Sequence, residues 1–359
     1  LVNVESFAAE VKRQCALMHE YFGKQPQVLR NSSLIYNDEI GYQAAKMGFK
    51  GMITEGAKHV LGWKSPHYLY NNPLAPNLKL LLRDIALSDD ISLRFNDHSW
   101  SGYPLFADHF ADEIAALPER EEVINIFMEL SALGMAQPLD SNILEFFKAL
   151  PDCATARQIV FATPSELCTN RKPVDHLSVP DSLSWVDEER DVSPWLGNPM
   201  QQEAFDKLYS VADRVRIAND PRINQDWDYL QASNNFRFMT TKPSLVGIDR
   251  GIYDSAFDAF TNYMNILGDF INRVNSLYPA DIDNDELENL LTMIKNQGDE
   301  IDIKDKEIIR LQAKIEKLEA PKRKVTRHTV SSEKSVAKQA DDTHGTTKGK
   351  RATAHQTEK

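Results

Sequence analysis

Cysteine is nearly missing from this 359-residue sequence: Cys15, Cys153 and Cys168 are all it has. Three thiols so far apart make neither a disulfide framework nor a zinc site, and they point to a reducing, cytoplasmic setting. No apolar run reaches the length of a membrane span, so the chain is not expected to enter a membrane. Neither His-x-x-x-His nor Asp-x-His spacing occurs at an expected strand end, so no metal is expected, and no cofactor either. Basic residues are in deficit, 41 against 53 acidic, for a net charge of −12. That balance argues against nucleic acid as the main partner.

What the chain does have is enough apolar material, 42%, to fill a sizeable core, which excludes a wholly disordered protein. The length suggests two domains, or one large barrel with an appendage. It opens at Leu1, without Met and inside an amphipathic helix pattern, so the expectation is a piece of a longer chain. The charge is uneven. Residues 321–359 carry ten basic and four acidic residues, with only scattered valines among Lys, Thr, Ser, Ala and Gln. Such a tail buries too little to offset chain entropy and is expected to be disordered; a polyanion-binding role is the alternative.

Just before it, Leu287, Ile294, Ile301, Ile308 and Ile315 recur every seven residues. Leu290, Gln297, Lys304, Leu311 and Leu318 follow three later. Isoleucine at a and leucine at d suit a parallel two-stranded coiled coil, hence a possible homodimer through 287–318. The other reading is one amphipathic helix packed on its own domain.

The remaining body alternates strands with helices, then turns wholly helical. A helix is expected over Val4–Phe22 with Gly23 as its stop, then a strand at Gln27–Arg30 and a polar turn, Asn31-Ser32-Ser33. A second helix opens at Asn37-Asp38-Glu39 and ends at Gly48. Strands are expected at Phe49–Thr54, Lys79–Leu82, Ser92–Phe95 and Val123–Glu129, with a helix over Phe106–Leu117. Short buried strands in βα units suggest a parallel α/β barrel or a doubly wound sheet. From 198 to 280 the pattern is helical, with Trp227, Phe236, Phe257, Phe260, Tyr263 and Phe270 as expected core.

In such folds the polar residues at the carboxyl ends of strands are the candidates for chemistry. Three segments qualify: Arg30-Asn31-Ser32-Ser33, Asp89-Asp90, and Asn96 to Trp100. Adjacent acids are most often solvated caps or turns. Here, however, a His and a Trp follow within ten residues, and carboxylates beside aromatic rings suit a sugar site. A retaining glycosidase needs a second carboxyl about 5 Å away, and Glu55, after its strand, is a candidate by position. Ser33 has no Gly-x-Ser-x-Gly elbow to make it a hydrolase nucleophile.

The run from Val28 to Gly41, with Arg30-Asn31-Ser32-Ser33-Leu34-Ile35-Tyr36-Asn37-Asp38-Glu39 at its centre, resembles the nucleophile region of α-amylases of glycoside hydrolase family 57. So do Gly51 to Lys58 and Leu61-Gly62-Trp63-Lys64-Ser65-Pro66. Leu87-Ser88-Asp89-Asp90-Ile91 through His98-Ser99-Trp100-Ser101 is similar to the general-acid region. Ser184-Trp185, Asp187 to Asp191 and Trp195 to Asn198 resemble the segment that leads into the helical domain. The resemblance covers about residues 1–278. It implies an incomplete (β/α)7 barrel whose remainder fills 1–150, a connector at 151–197 and an α-helical bundle at 198–280. The heptad helix, 281–320, and the basic tail, 321–359, would follow. The first barrel strands would precede Leu1.

Departures from the family pattern matter as much. The family's nucleophile is a Glu directly after Arg-Asn-Thr; here Ser33 stands in that place. Tyr-Glu-Thr-Phe-Gly-Glu-His is replaced by Leu130-Ser131-Ala132-Leu133-Gly134-Met135-Ala136, and Asp-His by Asn234-Asn235. The general acid carries over onto Asp90, with Asp89 as the close alternative. A hydroxyl without an adjacent base replaces a carboxylate poorly, and such a loss costs about 4–8 kcal/mol of barrier. Two functions are therefore expected. One is an α-1,4-glucan hydrolase or transglycosylase using Asp90, with Glu55 as relocated nucleophile. The other is a non-catalytic α-glucan or maltooligosaccharide binder that keeps Arg30, Trp63, His98 and Trp100 for sugar contact and assembles through its coiled coil.

Overall fold

The structure, a computed structural model, describes residues 2–242, 250–278 and 284–319. The expected basic tail, 321–359, lies outside the described residues. The chain divides into two units, Leu1–Thr292 and Met293–Lys359.

Helix α1 (Val4–Phe22) starts where the Asn3 side chain accepts the Ser6 N–H. It stops at left-handed Gly23, whose N–H returns to the His19 carbonyl. There follow β1 (Val28–Arg30), α2 (Asp38–Lys46), β2 (Gly51–Glu55), α3 (Lys58–Leu61), β3 (Tyr70–Asn71), β4 (Lys79–Arg83) and α4 (Ile85–Ser92). Asn37 caps α2 by accepting the Ile40 N–H, as an Asn before two acids predicts. Strands β1, β2 and β4 run parallel, in that order, with Arg30, Ile53 and Leu81 in one row. Leu80, Leu81 and Leu82 are all buried, so both faces of β4 are covered and its sequence reads as one apolar run. β3 pairs antiparallel with β4. After α5 (Ala107–Ala115), α6 (Ile143–Ala156) and α7 (Pro164–Asn170), the two-residue β5 (Asp175–His176) forms the far edge, parallel to β3.

Two expected strands are not strands. Asp84 accepts the Leu87 N–H and starts α4, so Asp89 and Asp90 lie within a helix that ends at Ser92. Leu87, Ile91 and Phe95, four residues apart, then point together into a cluster with Leu105, Phe110 and Phe146. That is a helical period. In Val123–Glu129 only Asn125 bridges to the sheet, at Arg83. Side chains take the next main-chain partners: Ser88 Oγ accepts the Phe127 N–H, and Arg83 Nε donates to the Phe127 carbonyl.

The later helices are α8 (Ser193–Leu196), α9 (Pro199–Tyr209), α10 (Ala212–Ala218), α11 (Pro221–Leu230), α12 (Ser233–Arg237) and α13 (Ala256–Asn275). They enclose Leu208, Phe236, Tyr263, Leu267 and Phe270, together with Leu34 and Trp185 from the strand side. Phe236, Tyr263 and Phe270 are core as expected, and Trp227 and Phe260 pack partly buried against them. Phe257 is not core: it is 65% exposed, because the buried stripe of α13 runs through Ala256, Ala259 and Tyr263 instead. The heptad segment forms one helix, α14 (Asn284–Glu319); the side chains of its Leu287 and Leu318 lie outside the described residues. No helix among the described residues is long and apolar enough to cross a membrane.

Gly56, just past β2, packs against backbone that cannot yield: a Cβ there would stand 2.4 Å from the Arg83 carbonyl. Gly56→Ala is expected to lower stability by about 1–3 kcal/mol. Gly268, inside α13 with open space where its Cβ would be, is expected to gain about 0.5–1 kcal/mol as Ala. Urea denaturation of both variants checks the pair.

Candidate functional site at the carboxyl ends of the parallel strands

Strand β1 ends in a turn built by the Asn31 side chain, whose Oδ1 accepts the Ser32 N–H while its Nδ2 donates to the Ile35 carbonyl. Ser33 and Leu34 both take left-handed backbone, at φ 52° and 56°. For residues with a Cβ this conformation costs on the order of 1–3 kcal/mol each. Two things hold it: Leu34 is fully buried in the helical cluster, and the Ser33 carbonyl accepts the Trp185 N–H. The Ser33 side chain remains partly exposed.

Strands β2 and β4 end on a mutually paired acid and base. Glu55 and Arg83 are each 1% exposed, and both Glu55 carboxylate oxygens lie 3.4 Å from Arg83 Nη1. Arg83 Nη2 donates to Asp89 Oδ1, and Asp89 Oδ2 accepts from Arg190 Nη2 at 3.0 Å. Arg190 is held by the Trp185 carbonyl, and the Arg83 guanidinium lies over the Trp185 ring. Two acids and two arginines thus form one buried chain: Glu55, Arg83, Asp89, Arg190. Burial drives the Glu55 carboxyl up to about 7, against the opposing pull of Arg83 and Arg190. Both oxygens of Asp89 thus accept from guanidinium groups, which hold the side chain between Arg83 and Arg190.

Asp90, one residue on, is turned elsewhere. Its Oδ1 accepts from Arg94 Nε and Nη2 at 2.7 and 2.5 Å, while Oδ2 has no donor among the described residues. Burial raises its carboxyl above the ordinary range although Arg94 pulls it down. Arg94 in turn lies over the ring of Trp100, and His98 stacks on Tyr103 at 4.2 Å.

The residues singled out in the sequence therefore fall into separate groups. Arg30 sits over Phe127, whose carbonyl binds Arg83, so Arg30, Glu55 and Asp89 share one neighbourhood. Asp90 and Trp100 share another, through Arg94. Trp63 stands apart, 91% exposed, with no ring contact or hydrogen bond to either group. A cavity of about 840 Å³ opens between α1 and α10–α11, and none of these residues lines it. Sequence reasoning missed Arg83, Arg190 and His67. The one signal for Arg83 is a charge closing the apolar run Leu80-Leu81-Leu82.

Buried His67 is held between two acids. Its Nε2 meets Asp84 Oδ2 at 2.5 Å and its Nδ1 meets Glu121 Oε2. Its carbonyl accepts the Glu122 and Val123 N–H groups. Asp84 is the cap of α4, so this contact fixes the start of the helix that carries Asp89 and Asp90. Burial works against the charged imidazole, but the two carboxylates outweigh it and His67 is raised. The same hydrogen bonds lower Asp84 and Glu121 despite their burial. Among the described residues no group of three His, Cys, Asp or Glu is placed to hold a metal.

Comparison with known proteins gives three results. The family model for "Glycosyl hydrolase family 57" matches residues 1–180. A protein of Methanocaldococcus jannaschii named "Putative alpha-amylase" is 35% identical over 280 residues, covering 74% of this chain and 59% of its own length. The chain thus spans about three-fifths of that relative. The crystal structure of a GH57-type branching enzyme from the hyperthermophilic archaeon Pyrococcus horikoshii superposes with a TM-score of 0.52 at 13% identity. It covers 76% of this chain and 66% of the enzyme, a likeness of fold.

Two outcomes follow from this geometry. Asp89→Ala leaves the guanidinium groups of Arg83 and Arg190 buried without their shared acid and is expected to cost about 3–5 kcal/mol in chemical denaturation. The His67 contact sets a pH window. A raised histidine contributes fully below its unfolded value of about 6.5 and loses that contribution as pH rises through the folded value. The lowered acids contribute above their unfolded values near 4 and lose it as pH falls. Thermal melts should therefore peak between about pH 5 and 6.5 and decline on the alkaline side, and His67→Gln should flatten that decline.

Proposed function

The chain belongs to glycosyl hydrolase family 57, and from that premise we propose that it is an α-amylase-like, cytoplasmic protein that binds α-1,4-glucans with hydrolysis impaired or lost. Its sheet is the remainder of an incomplete (β/α)7 barrel, the helices from Pro199 to Asn275 are the accompanying bundle, and α14 assembles copies into a homodimer. One observation carries the reading. The position where the family resemblance calls for a nucleophilic carboxylate holds Ser33, while Glu55, at the end of β2, and Asp89, on α4, are committed to Arg83 and Arg190.

Retaining hydrolysis needs two carboxyls about 5–5.5 Å apart across the glycosidic bond, one ionised to attack and one protonated to release the leaving group. Asp90, with one free oxygen and a raised carboxyl, has the properties of the second. Neither Ser33 nor Glu55 matches it as the first. Ser33 lacks a base. Glu55 is turned to Arg83 rather than Asp90, and at about 7 it is only partly ionised near neutrality. Binding asks less. Arg30, Trp100 and His98 remain on or near the surface, where a ring and donor groups can hold a pyranose face and its hydroxyls. The competing reading, favoured by the free oxygen of Asp90, is a slow hydrolase or transglycosylase in which Asp90 is the only acid/base.

The test is maltohexaose binding and hydrolysis by the full chain beside Ser33→Glu and Trp100→Ala. Binding without turnover above background is expected in the unaltered protein, and Trp100→Ala should weaken binding about three- to tenfold. High hydrolysis, equal in the unaltered protein and Ser33→Glu, would show the carboxylate at position 33 to be dispensable and the reading wrong.

A further inference from the structure

The heptad helix can be read for the direction in which its partner runs. Leu290, Ile294, Ile301, Ile308, Leu311 and Ile315 recur on one seam of α14, each 39–58% exposed. Between them the seam is interrupted twice in succession, by Gln297 and Lys304, both at d. We infer that α14 pairs with α14 of a second copy in parallel and in register, with Lys304 of each copy set between its own Glu300 and Asp305 of the other. This rests on the parallel homodimer reading above and adds its register and the ion cluster that fixes it.

In a parallel, in-register pair like residues face each other. Isoleucine meets isoleucine at a, the choice that favours two strands, and Leu290 and Leu311 meet their own kind at d. Gln297 faces Gln297, where two amides can donate and accept, and only Lys304 faces a like charge. That layer has its own remedy. Lys304 Nζ already pairs with Glu300 Oε1 at 2.8 Å, one turn earlier on the same helix. A knob at d packs beside position e of the facing helix, which here is Asp305. The two ammonium groups are therefore flanked by four carboxylates, and the acids at g and e, which would otherwise repel, share the lysines between them.

The antiparallel arrangement sets a against d. Gln297 would face Ile308 and Lys304 would face Ile301, giving four layers in which a polar group is desolvated against isoleucine without a partner. It would also set Glu300 beside Glu307 of the other helix with no lysine between them. The charge pattern thus selects one direction, and the polar layers fix the register as single polar core positions do in coiled coils.

The experiment uses the full chain. Light scattering after gel filtration should give twice the chain mass at micromolar concentration. A monomer there would overturn the homodimer reading itself. Orientation is read separately, by mild oxidation of Leu311→Cys mixed with Ile294→Cys and mass spectrometry of the linked peptides. Links of 311 to 311 and 294 to 294 are expected; a dominant 294–311 link would overturn the parallel direction while leaving the dimer intact. Lys304→Glu places six acids in one layer and should weaken the dimer roughly tenfold or more, whereas Lys306→Glu, on the outer face, should leave it unchanged. Equal dimerisation by both variants would remove Lys304 from the account.

Discussion

The guanidinium of Arg83 holds the centre of this structure. It closes β4, donates to the Phe127 carbonyl and to Asp89, faces Glu55 on the next strand, and lies over Trp185. Each ion in such a buried set loses several kcal/mol of hydration, and an attraction of about 4 kcal/mol per close pair at an effective dielectric near 20 roughly offsets it. The network therefore adds little net stability. What it supplies is specification, because any member turned away leaves its partner buried and unpaired. Strand ends β2 and β4, helix α4 and the Trp185–Arg190 segment are fixed to one another by it.

That constraint decides the chemistry. Neighbours on a helix point about 100° apart, so once Asp89 is drawn to Arg83 and Arg190, Asp90 must face away, where Arg94 receives it. The His67 contact, by holding the cap of α4, sets the pivot from which both acids project. Glu55 and Asp89 are thus used to hold the fold, while Asp90, with one oxygen free of donors among the described residues, projects from another face of α4. Family 57 membership supplies the expectation of glucan chemistry; the arginine partners of Glu55 and Asp89 are what support the proposed impairment.

Much of this was legible in the sequence. The limits of α1, the Asn37 cap of α2, and strands β1, β2 and β4 follow from local signals acting within a few residues. Leu87, Ile91 and Phe95 were open to two periods, and the short-range pattern favoured a strand until the Asp84 cap started a helix. Phe257 shares its helix with true core residues and differs only by rotation. Harder still were Arg83, His67 and Arg190. Their partners lie as far as 101 residues away, so neither motif nor spacing announces them. The left-handed backbone at Ser33 and Leu34 is likewise invisible in a residue pair with no glycine; it is imposed by the burial of Leu34 and by Trp185.

On the proposed reading, the protein holds sugar without forming a bond to it. The direct measurement is mass spectrometry of the full chain after incubation with an activated fluorinated maltosyl donor, which traps the covalent glycosyl-enzyme of a retaining mechanism. An unshifted mass is expected. A shift of one glycosyl unit mapped to Glu55, or to any other carboxylate of the chain, would contradict it.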